Sequence, residues 1–369
     1  MPREVEQSVL EKGMRRGALV LLCLPLWACG TSEGTGDAGW QGTPTDASFP
    51  DTFSLADAYP TADPDPDAAP APSPDYDGGT TTGFSCTGKT LGAGDRDETL
   101  TSGGLLRVAH VHVPQSYDPS TGAMLVIAYH GFFETGWEQE IQSRMNPSSD
   151  THGFIAVYPE GIANSWNAGD CCGDSWTNSV DDVQFTKDLL ARLESDYCID
   201  PKHVFATGFS NGGFFSHRLG CEMSDVFGAI APVAGVLGID PSQCHPKRPI
   251  PVLDFHGTAD PVVPYGGGTP LIPLNLAGVL DFRSVGTTMT FWIASNGCLA
   301  PPATYFKNGD ATCTEWGTCR GKADVVHCAI ANGGHQWPGG VTLPVVGYNT
   351  MDISATETMV KFFLAHPLP

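Results

Sequence analysis

The stretch TGFSNGG at residues 207–213 decides how the rest of the chain is interpreted. It follows an apolar run typical of a buried strand, residues 203–207, and precedes a helical pattern at residues 211–221. In a Gly-x-Ser-x-Gly segment placed in this way, a sharp turn lifts the serine hydroxyl clear of a sheet. We therefore predict Ser210 as a nucleophile and the Asn211 N–H, at the helix N-terminus, as a donor to an oxyanion.

The acid that such a serine requires is predicted further along the chain. A serine hydroxyl attacks a carbonyl only when a base takes its proton and an acid holds that base in place. Residues 250–255 predict a buried strand, and Asp260 lies in the loop that follows. Asp254 is the rival, but inside the apolar strand it would be a costly buried charge or an edge residue. We therefore predict Asp260 as the acid.

The predicted base lies in a glycine-rich loop, residues 332–339, after a predicted strand at 324–330. His335 is the histidine of that loop, whereas His327 lies within the strand and His366 behind the last predicted helix. The resulting order of serine, aspartate and histidine along the chain is the order found in α/β-hydrolases. It predicts a Ser–Asp–His triad that uses no cofactor and no metal ion.

The region from about residue 84 onward alternates between predicted strands and helices. Strands are predicted at 105–114, 124–130, 154–158, 203–207, 227–233, 250–255 and 324–330, and helices at 180–197, 211–221, 285–296 and 355–365. This alternation predicts an α/β fold of the α/β-hydrolase type, with a mostly parallel sheet covered by helices on both faces.

A second oxyanion donor is expected from the loop after the third strand of such a fold. The predicted strand at 124–130 runs directly into Gly131 and Phe132. We therefore predict that the Phe132 N–H complements that of Asn211. His130 is interpreted as a buried histidine that shapes the turn and not as a base.

The composition and the N-terminus indicate export. The chain has 369 residues and a formal net charge of −22, which argues against a nucleic-acid partner because phosphates are bound by Lys and Arg. An apolar run at 17–27 follows two arginines, is too short to span a bilayer and ends before Cys29. We predict a signal peptide at 1–29 with a lipobox and a lipid on Cys29, with translation starting at Met1 or Met14. The protein would be lipid-anchored to the cell envelope or secreted, and a membrane would be contacted only through that lipid.

The segment 30–82 differs in character from the remainder. It contains eight prolines and ten acidic residues but no Lys or Arg, so it is predicted to be a disordered tether. The folded domain is predicted at 83–369. Of the 12 cysteines of the chain, Cys23 and Cys29 precede this domain. The domain itself contains ten, an even number consistent with five disulfides in an oxidising compartment.

Several blocks of the folded region together resemble the polyhydroxybutyrate depolymerase and feruloyl esterase family, relatives of carbohydrate esterase family 1. The blocks are YHG at 129–131, YPEG at 158–161, NSWNAG at 164–169, CCG at 171–173, VDDV at 180–183, GFSNGG at 208–213, APVAG at 231–235, HGTADPVVPY at 256–265 and GGHQWPG at 333–339. The resemblance implies the same triad, Ser210, Asp260 and His335. It also implies disulfides between Cys221 and Cys244 and between Cys298 and Cys319. Phe132 departs from the pattern, since many members carry a small residue or Cys there.

The substrate implied by this resemblance is an ester. The aromatic residues Phe133, Trp166 and Trp337 are candidates for stacking on a feruloyl ring or a sugar, and each could equally be an anchor of the core or of a loop. Because the chain shows no separate adsorption domain for an insoluble polyester, we predict a feruloyl or acetylxylan esterase acting on plant cell-wall polysaccharide. A polyhydroxybutyrate depolymerase is the second interpretation.

Two interpretations of other classes are also considered. A cell-surface binding protein on an inactive hydrolase fold would have no need of all three triad residues. His110 and His112, two residues apart on a predicted strand, would both be available to a zinc ion. No third ligand lies at a telling spacing, so no metal site is predicted.

Overall fold

A computed structural model of the protein describes residues 84–271 and 281–369. The strands are β1 Gly94–Ser102, β2 Leu105–Val113, β3 Ala123–Tyr129, β4 Ile155–Pro159, β5 Ile199–Phe209, β6 Ile230–Val233, β7 Val252–Gly257, β8 Ala303–Asn308, β9 Ala311–Trp316 and β10 Val325–Ile330. The α-helices are α1 Gly136–Ser143, α2 Met145–His152, α3 Gly173–Thr177, α4 Asp182–Asp196, α5 Asn211–Glu222, α6 Val285–Asn296 and α7 Ala355–Ala365.

The strands form one sheet in the order β1-β2-β4-β3-β5-β6-β7-β10-β9-β8. The central strands β4, β3, β5, β6, β7 and β10 pair in parallel, while β1, β2, β9 and β8 add antiparallel pairings at the two edges. The carboxyl ends of parallel strands meet at one edge of a sheet, which is where α/β folds bind ligands. The predicted α/β-hydrolase fold with a mostly parallel sheet is confirmed.

Both faces of the sheet are covered by apolar side chains. Along β3, Leu125 and Ile127 belong to one buried cluster, whereas the intervening Val126 belongs to another, as expected when side chains alternate across a strand. Helices α4, α5 and α6 contribute to the first cluster, for example through Trp292 of α6. Helices α2 and α7 contribute to the second, for example through Phe363 of α7. The central strands are therefore buried on both sides.

The edge strands β1 and β8 and the helices α1 and α2 were not predicted from the sequence. β1 has the sequence GDRDETLTS and pairs only with β2, so it needs no continuous apolar face. β8 is largely exposed at the opposite edge of the sheet. Helix α1 is only eight residues long and its apolar residues Trp137 and Ile141 are exposed, but Thr135 and Glu138 form a capping box at its N-terminus. These elements are specified by pairing and capping rather than by hydrophobic pattern.

Ten cysteines form five disulfides in the described ranges: Cys86–Cys198, Cys171–Cys172, Cys221–Cys244, Cys298–Cys319 and Cys313–Cys328. The two pairs implied by the family resemblance are among them. The predicted signal peptide, the lipidated Cys29 and the predicted tether lie outside the described residues. Among the helices of the described ranges, none combines the length and apolar character that crossing a membrane requires.

Candidate active site

Ser210 lies at the turn between β5 and α5, at the carboxyl end of a central strand. Its backbone has φ 53° and ψ −118°, a conformation that is strained for a residue with a side chain. The turn requires its glycines, because a Cβ on Gly208 would lie 2.4 Å from the Gly212 carbonyl oxygen and one on Gly212 would lie 2.0 Å from the Tyr129 carbonyl oxygen. The Ser210 N–H donates to the Val233 carbonyl at 2.9 Å, which anchors the turn to β6.

His335 and Asp260 form a buried pair beside this turn. The His335 Nδ1 lies 2.7 Å from the Asp260 Oδ2, and both side chains are buried. The other carboxylate oxygen of Asp260 accepts hydrogen bonds from the N–H groups of Val262 and Val263, each at 2.8 Å. Burial disfavours the charged carboxylate, but the charge and hydrogen bond of His335 outweigh it, so the pKa of Asp260 lies below its usual value. The carboxylate is therefore ionised and holds the imidazole ring.

A pocket of about 170 Å³ joins these residues. Ser210 and His335 both line it, together with Asn211 and Phe133. Most of its wall is apolar and includes Phe132, Phe209, Phe214, Val262, Val263 and Phe282. The arrangement brings a serine hydroxyl and an imidazole into one cavity with a mostly apolar wall.

The two residues predicted to donate a backbone N–H to an oxyanion, Phe132 and Asn211, both line the pocket. Asn211 is the first residue of α5, so its N–H has no acceptor within the helix. The Asn211 side chain is fixed by the Trp166 backbone, accepting from its N–H at 2.7 Å and donating to its carbonyl at 3.1 Å. Phe132 lies in the turn after β3 and lines the same pocket. Both predicted donors therefore belong to segments at the carboxyl ends of central strands.

Two of the three predicted substrate-binding aromatics are placed elsewhere, and that interpretation is corrected. Trp166 is 0% exposed, and its indole N–H donates to the His130 carbonyl at 3.0 Å. Trp337 is also 0% exposed, and its indole N–H donates to the Thr356 hydroxyl. Both rings belong to the buried apolar clusters. Their N–H groups can be buried because each has an acceptor inside the protein. Phe133, 64% exposed and lining the pocket, remains a candidate for substrate contact.

The sequence analysis missed several groups at the pocket wall. Glu134 lines the pocket, and burial raises the pKa of its carboxyl group to about 7. The Cys171–Cys172 disulfide also lines it. A carboxylate three residues after Gly131, within an otherwise apolar loop, was the available signal for Glu134. The adjacent cysteines stood in the blocks that carry the family resemblance, but nothing in their spacing indicated a pocket wall.

His130 and Asp254 take structural positions. The His130 Nδ1–H donates to the Gly131 carbonyl and its Nε2 accepts from the Gly161 N–H, so both ring nitrogens shape the turn. Burial lowers the pKa of His130 to about 4, which keeps the ring neutral. Asp254 is buried in β7 and accepts a hydrogen bond from the His327 Nδ1 at 2.7 Å. The imidazole partner of Asp254 is therefore a strand residue and not His335.

The two histidines considered for zinc are engaged by carboxylates. His110 lies between Asp97 and Glu160, at 2.6 and 2.8 Å, and the Glu160 hydrogen bond raises the pKa of His110 to about 9. His112 contacts Asp95 at 2.6 Å. In the ranges 84–271 and 281–369, no group of three or more His, Cys, Asp or Glu side chains is arranged to hold a metal ion.

Comparisons with known proteins identify similar esterases, although no family model matches the chain. Feruloyl esterase B of Piromyces equi is 33% identical over 232 residues, 61% of this chain but only 42% of that protein. Putative esterase NocK of Nocardia uniformis subsp. tsuyamanensis is 33% identical over 258 residues, 66% of this chain and 74% of that protein. The solved structure of an acetyl xylan esterase from Aspergillus awamori covers 73% of this chain and 99% of its own, with a TM-score of 0.51 at 16% identity. The last similarity concerns the fold.

Proposed function

The chain belongs to the feruloyl and acetylxylan esterase family of α/β-hydrolases, and from that premise we propose that it is a serine ester hydrolase acting on plant cell-wall polysaccharide esters. The observation that carries the proposal is the buried pairing of His335 with Asp260 beside a pocket that His335 shares with Ser210. A base oriented by a carboxylate and a serine on a strained turn are the parts that nucleophilic ester cleavage requires.

The proposed mechanism uses these groups in two steps. His335 takes the Ser210 proton as Oγ attacks the ester carbonyl carbon, and the Phe132 and Asn211 amides bind the oxyanion. The C–O bond to the alcohol then breaks, and the alcohol leaves with the proton that His335 carried. Water, deprotonated by His335, attacks the acyl-enzyme, releasing the carboxylic acid and restoring the Ser210 hydroxyl.

We propose an aromatic acyl group, of the feruloyl kind, as the preferred acyl part. The proposal rests on the predominance of phenylalanine rings in the pocket wall, because stacked and edge-on ring contacts add to the burial of apolar area. An acetyl group would leave most of a pocket of about 170 Å³ unfilled. Acetyl esters of xylan are therefore proposed as poorer substrates.

A polyester depolymerase remains the second candidate because of one surface feature. Three exposed apolar side chains recur every four residues, starting with Phe133 in the pocket wall and continuing with Trp137 and Ile141 on α1. Their exposed fractions are 64%, 56% and 44%, respectively. Exposed apolar side chains beside a pocket suit contact with an insoluble apolar polymer. The same residues would also suit contact with the faces of sugar rings.

Export and lipid anchoring at Cys29 are also proposed. The basic and apolar pattern of residues 15–29 supports a lipoprotein signal, and the five disulfides suit an oxidising compartment. Labelling with radioactive palmitate in a bacterial expression host tests this directly. Incorporation that disappears in Cys29→Ala is expected, and equal labelling of both proteins contradicts it.

The proposed activity is tested by a substrate panel. Purified protein is assayed on methyl ferulate, acetylated xylan, a short p-nitrophenyl ester and polyhydroxybutyrate powder. We expect methyl ferulate to give the highest kcat/KM among the soluble esters. Rapid release of 3-hydroxybutyrate from the powder instead would favour the depolymerase, and no turnover of any substrate would favour a binding protein.

A further inference from the structure

Glu134 is a carboxyl group at the pocket that the proposed mechanism leaves without a role. Its Oε2 accepts a hydrogen bond from the Gly131 N–H at 2.8 Å, and its own N–H donates to the Gly131 carbonyl at 3.2 Å. Glu134 thus bonds both backbone polar groups of Gly131 and closes a turn around Phe132 and Phe133. The turn is the one that carries the predicted second oxyanion donor.

The hydrogen bonds of this turn leave one amide for a ligand. The Gly131 N–H is bonded to the Glu134 carboxyl group, the Phe133 N–H to the Asn164 carbonyl at 2.9 Å, and the Glu134 N–H to the Gly131 carbonyl. Among the described residues, the Phe132 N–H is the amide of residues 131–134 without an acceptor. Because the Gly131 N–H donates to the Glu134 carboxyl group, the Phe132 N–H is the amide of this turn that is free to bind a ligand.

The turn tolerates little variation. Phe133 has φ 66°, in the left-handed region, and the Asn164 side chain holds the following carbonyl by donating to the Glu134 backbone oxygen at 2.8 Å. A Cβ on Gly131 would lie 2.7 Å from the Glu134 Oε2. The Glu134 carboxyl group can therefore approach the backbone at residue 131 only because that residue has no side chain.

The charge of Glu134 responds to its surroundings within the pocket. Burial raises its pKa to about 7, the Gly131 N–H and the His335 charge act in the opposite direction, and Glu138 of α1 acts with burial. The remaining titratable groups on the neighbouring segments are His130, which is neutral, and Asp260, which is engaged with His335. The pKa of Glu134 therefore lies above that of an exposed carboxyl group.

We propose that Glu134 is a positioning residue for ester hydrolysis: its carboxyl group fixes the turn that directs the Phe132 N–H at the oxyanion and places a titratable charge beside His335. This inference rests on the proposed esterase function. An ionised carboxylate stabilises the positive charge that His335 gains when it takes the Ser210 proton. Removal of this charge with the turn kept should therefore move the acidic limb of the pH–rate profile to lower pH.

The test compares three variants on a soluble p-nitrophenyl ester from about pH 5 to 9. Glu134→Gln keeps an oxygen acceptor for the Gly131 N–H but cannot ionise. Glu134→Ala loses the acceptor. Glu138→Gln is the matched control, because it removes the neighbouring charge from outside the pocket wall while glutamine still completes the capping box at the start of α1.

The expected results distinguish the effect of Glu134 on the position of the Phe132 N–H from the effect of its charge. Glu134→Ala should lower kcat roughly 10- to 100-fold with KM within about threefold of wild type, as for a misplaced oxyanion donor. Glu134→Gln should retain kcat at its plateau within about threefold. The acidic limb of its log(kcat/KM) profile should lie at lower pH than in wild type, because no neighbouring carboxylate stabilises the His335 imidazolium, whereas Glu138→Gln should keep the wild-type profile.

Several outcomes would overturn the inference. These are a kcat of Glu134→Ala within about twofold of wild type, a Glu134→Gln as impaired as Glu134→Ala, or superimposable pH profiles of wild type and Glu134→Gln. If Glu134→Ala does not fold, the pH profile of Glu134→Gln decides alone. A wild-type protein that hydrolyses no ester overturns the proposed function together with this inference, whereas an active wild type with unaffected variants overturns the inference only.

Discussion

The Nδ1 of His335 lies 2.7 Å from the Oδ2 of Asp260, and neither residue is more than 4% exposed. Asp260 follows β7 and His335 follows β10, so two adjacent parallel strands deliver the pair to the same edge of the sheet. The second carboxylate oxygen is held by the Val262 and Val263 amides, which fixes the orientation of the carboxylate. A rigid acid of this kind selects the tautomer of the imidazole whose Nε2 is free to accept a proton.

Replacement of Asp260 by asparagine should reduce activity without unfolding the protein. Asparagine keeps the size of the side chain but removes the charge that stabilises the imidazolium, so we expect kcat to fall roughly 10³- to 10⁴-fold. Asp254→Asn is the matched control, since Asp254 is an equally buried aspartate of β7 whose partner is His327. It should lower Tm while kcat stays within about threefold of wild type. Equal losses of kcat in both variants would contradict the assignment.

Glu134→Gln should stabilise the protein at alkaline pH. The pKa of Glu134 is raised to about 7 in the folded protein, so the folded state binds more protons than the unfolded state between about pH 4.5 and 7. Stability from this group is complete below that range and is lost as the pH rises through it. We expect the unfolding free energy of the variant relative to wild type to increase by about 1–3 kcal/mol from pH 5 to pH 8. Urea denaturation at both pH values measures this, and a constant difference would argue against a raised pKa of Glu134.

Truncation of Phe133 should weaken binding of an aromatic ester. Phe133 lines the pocket and is 64% exposed, so Phe133→Ala should raise KM for methyl ferulate about 3- to 10-fold and leave Tm nearly unchanged. Leu106→Ala is a suitable control because Leu106, on β2, is 72% exposed and is not part of the pocket wall. Identical KM values for the two variants would remove Phe133 from the substrate site.

Removal of the Cys221–Cys244 disulfide should affect stability rather than chemistry. The bond joins the last turn of α5 to a loop 23 residues away, at the end of the helix opposite Ser210. The double variant Cys221→Ala/Cys244→Ala should lose about 2–4 kcal/mol of unfolding free energy, because its unfolded chain is less restricted. Its kcat at 25 °C should stay within about twofold of wild type. A loss of kcat well beyond twofold, measured at a temperature where the variant is still folded, would contradict a purely stabilising role of the disulfide.

The parts of the structure that the sequence predicted are those with strong local patterns. Helices α6 and α7 have the predicted bounds, and β10 and β7 differ from them by one or two residues. Their apolar positions recur at the spacing of a helix or fill a buried strand, so a short window is sufficient. The Gly-x-Ser-x-Gly turn was predictable for a related reason, because its glycines are required by contacts between close backbones.

The parts that were missed depend on contacts distant in the sequence. Trp166 resembles an exposed loop aromatic until its indole N–H meets the His130 carbonyl, 36 residues away. Glu134 resembles a surface carboxylate of a loop until the Gly131 turn encloses it. Asp254 was interpreted as a costly charge because its partner, His327, lies on a strand 73 residues later. Satisfaction of buried polar groups is a tertiary property that sequence periodicity does not report.

The identity of the nucleophile is tested most directly by covalent labelling with an alkyl fluorophosphonate followed by peptide mass mapping. We expect a single adduct on Ser210, no adduct in Ser210→Ala, and at least a hundredfold slower labelling in His335→Ala, while both variants keep the wild-type Tm within a few degrees. In parallel, Ser210→Ala should lose ester hydrolysis by about 10⁴-fold or more. An adduct on another residue, or near-normal hydrolysis by Ser210→Ala, would contradict the proposal that the serine at the β5–α5 turn carries the reaction.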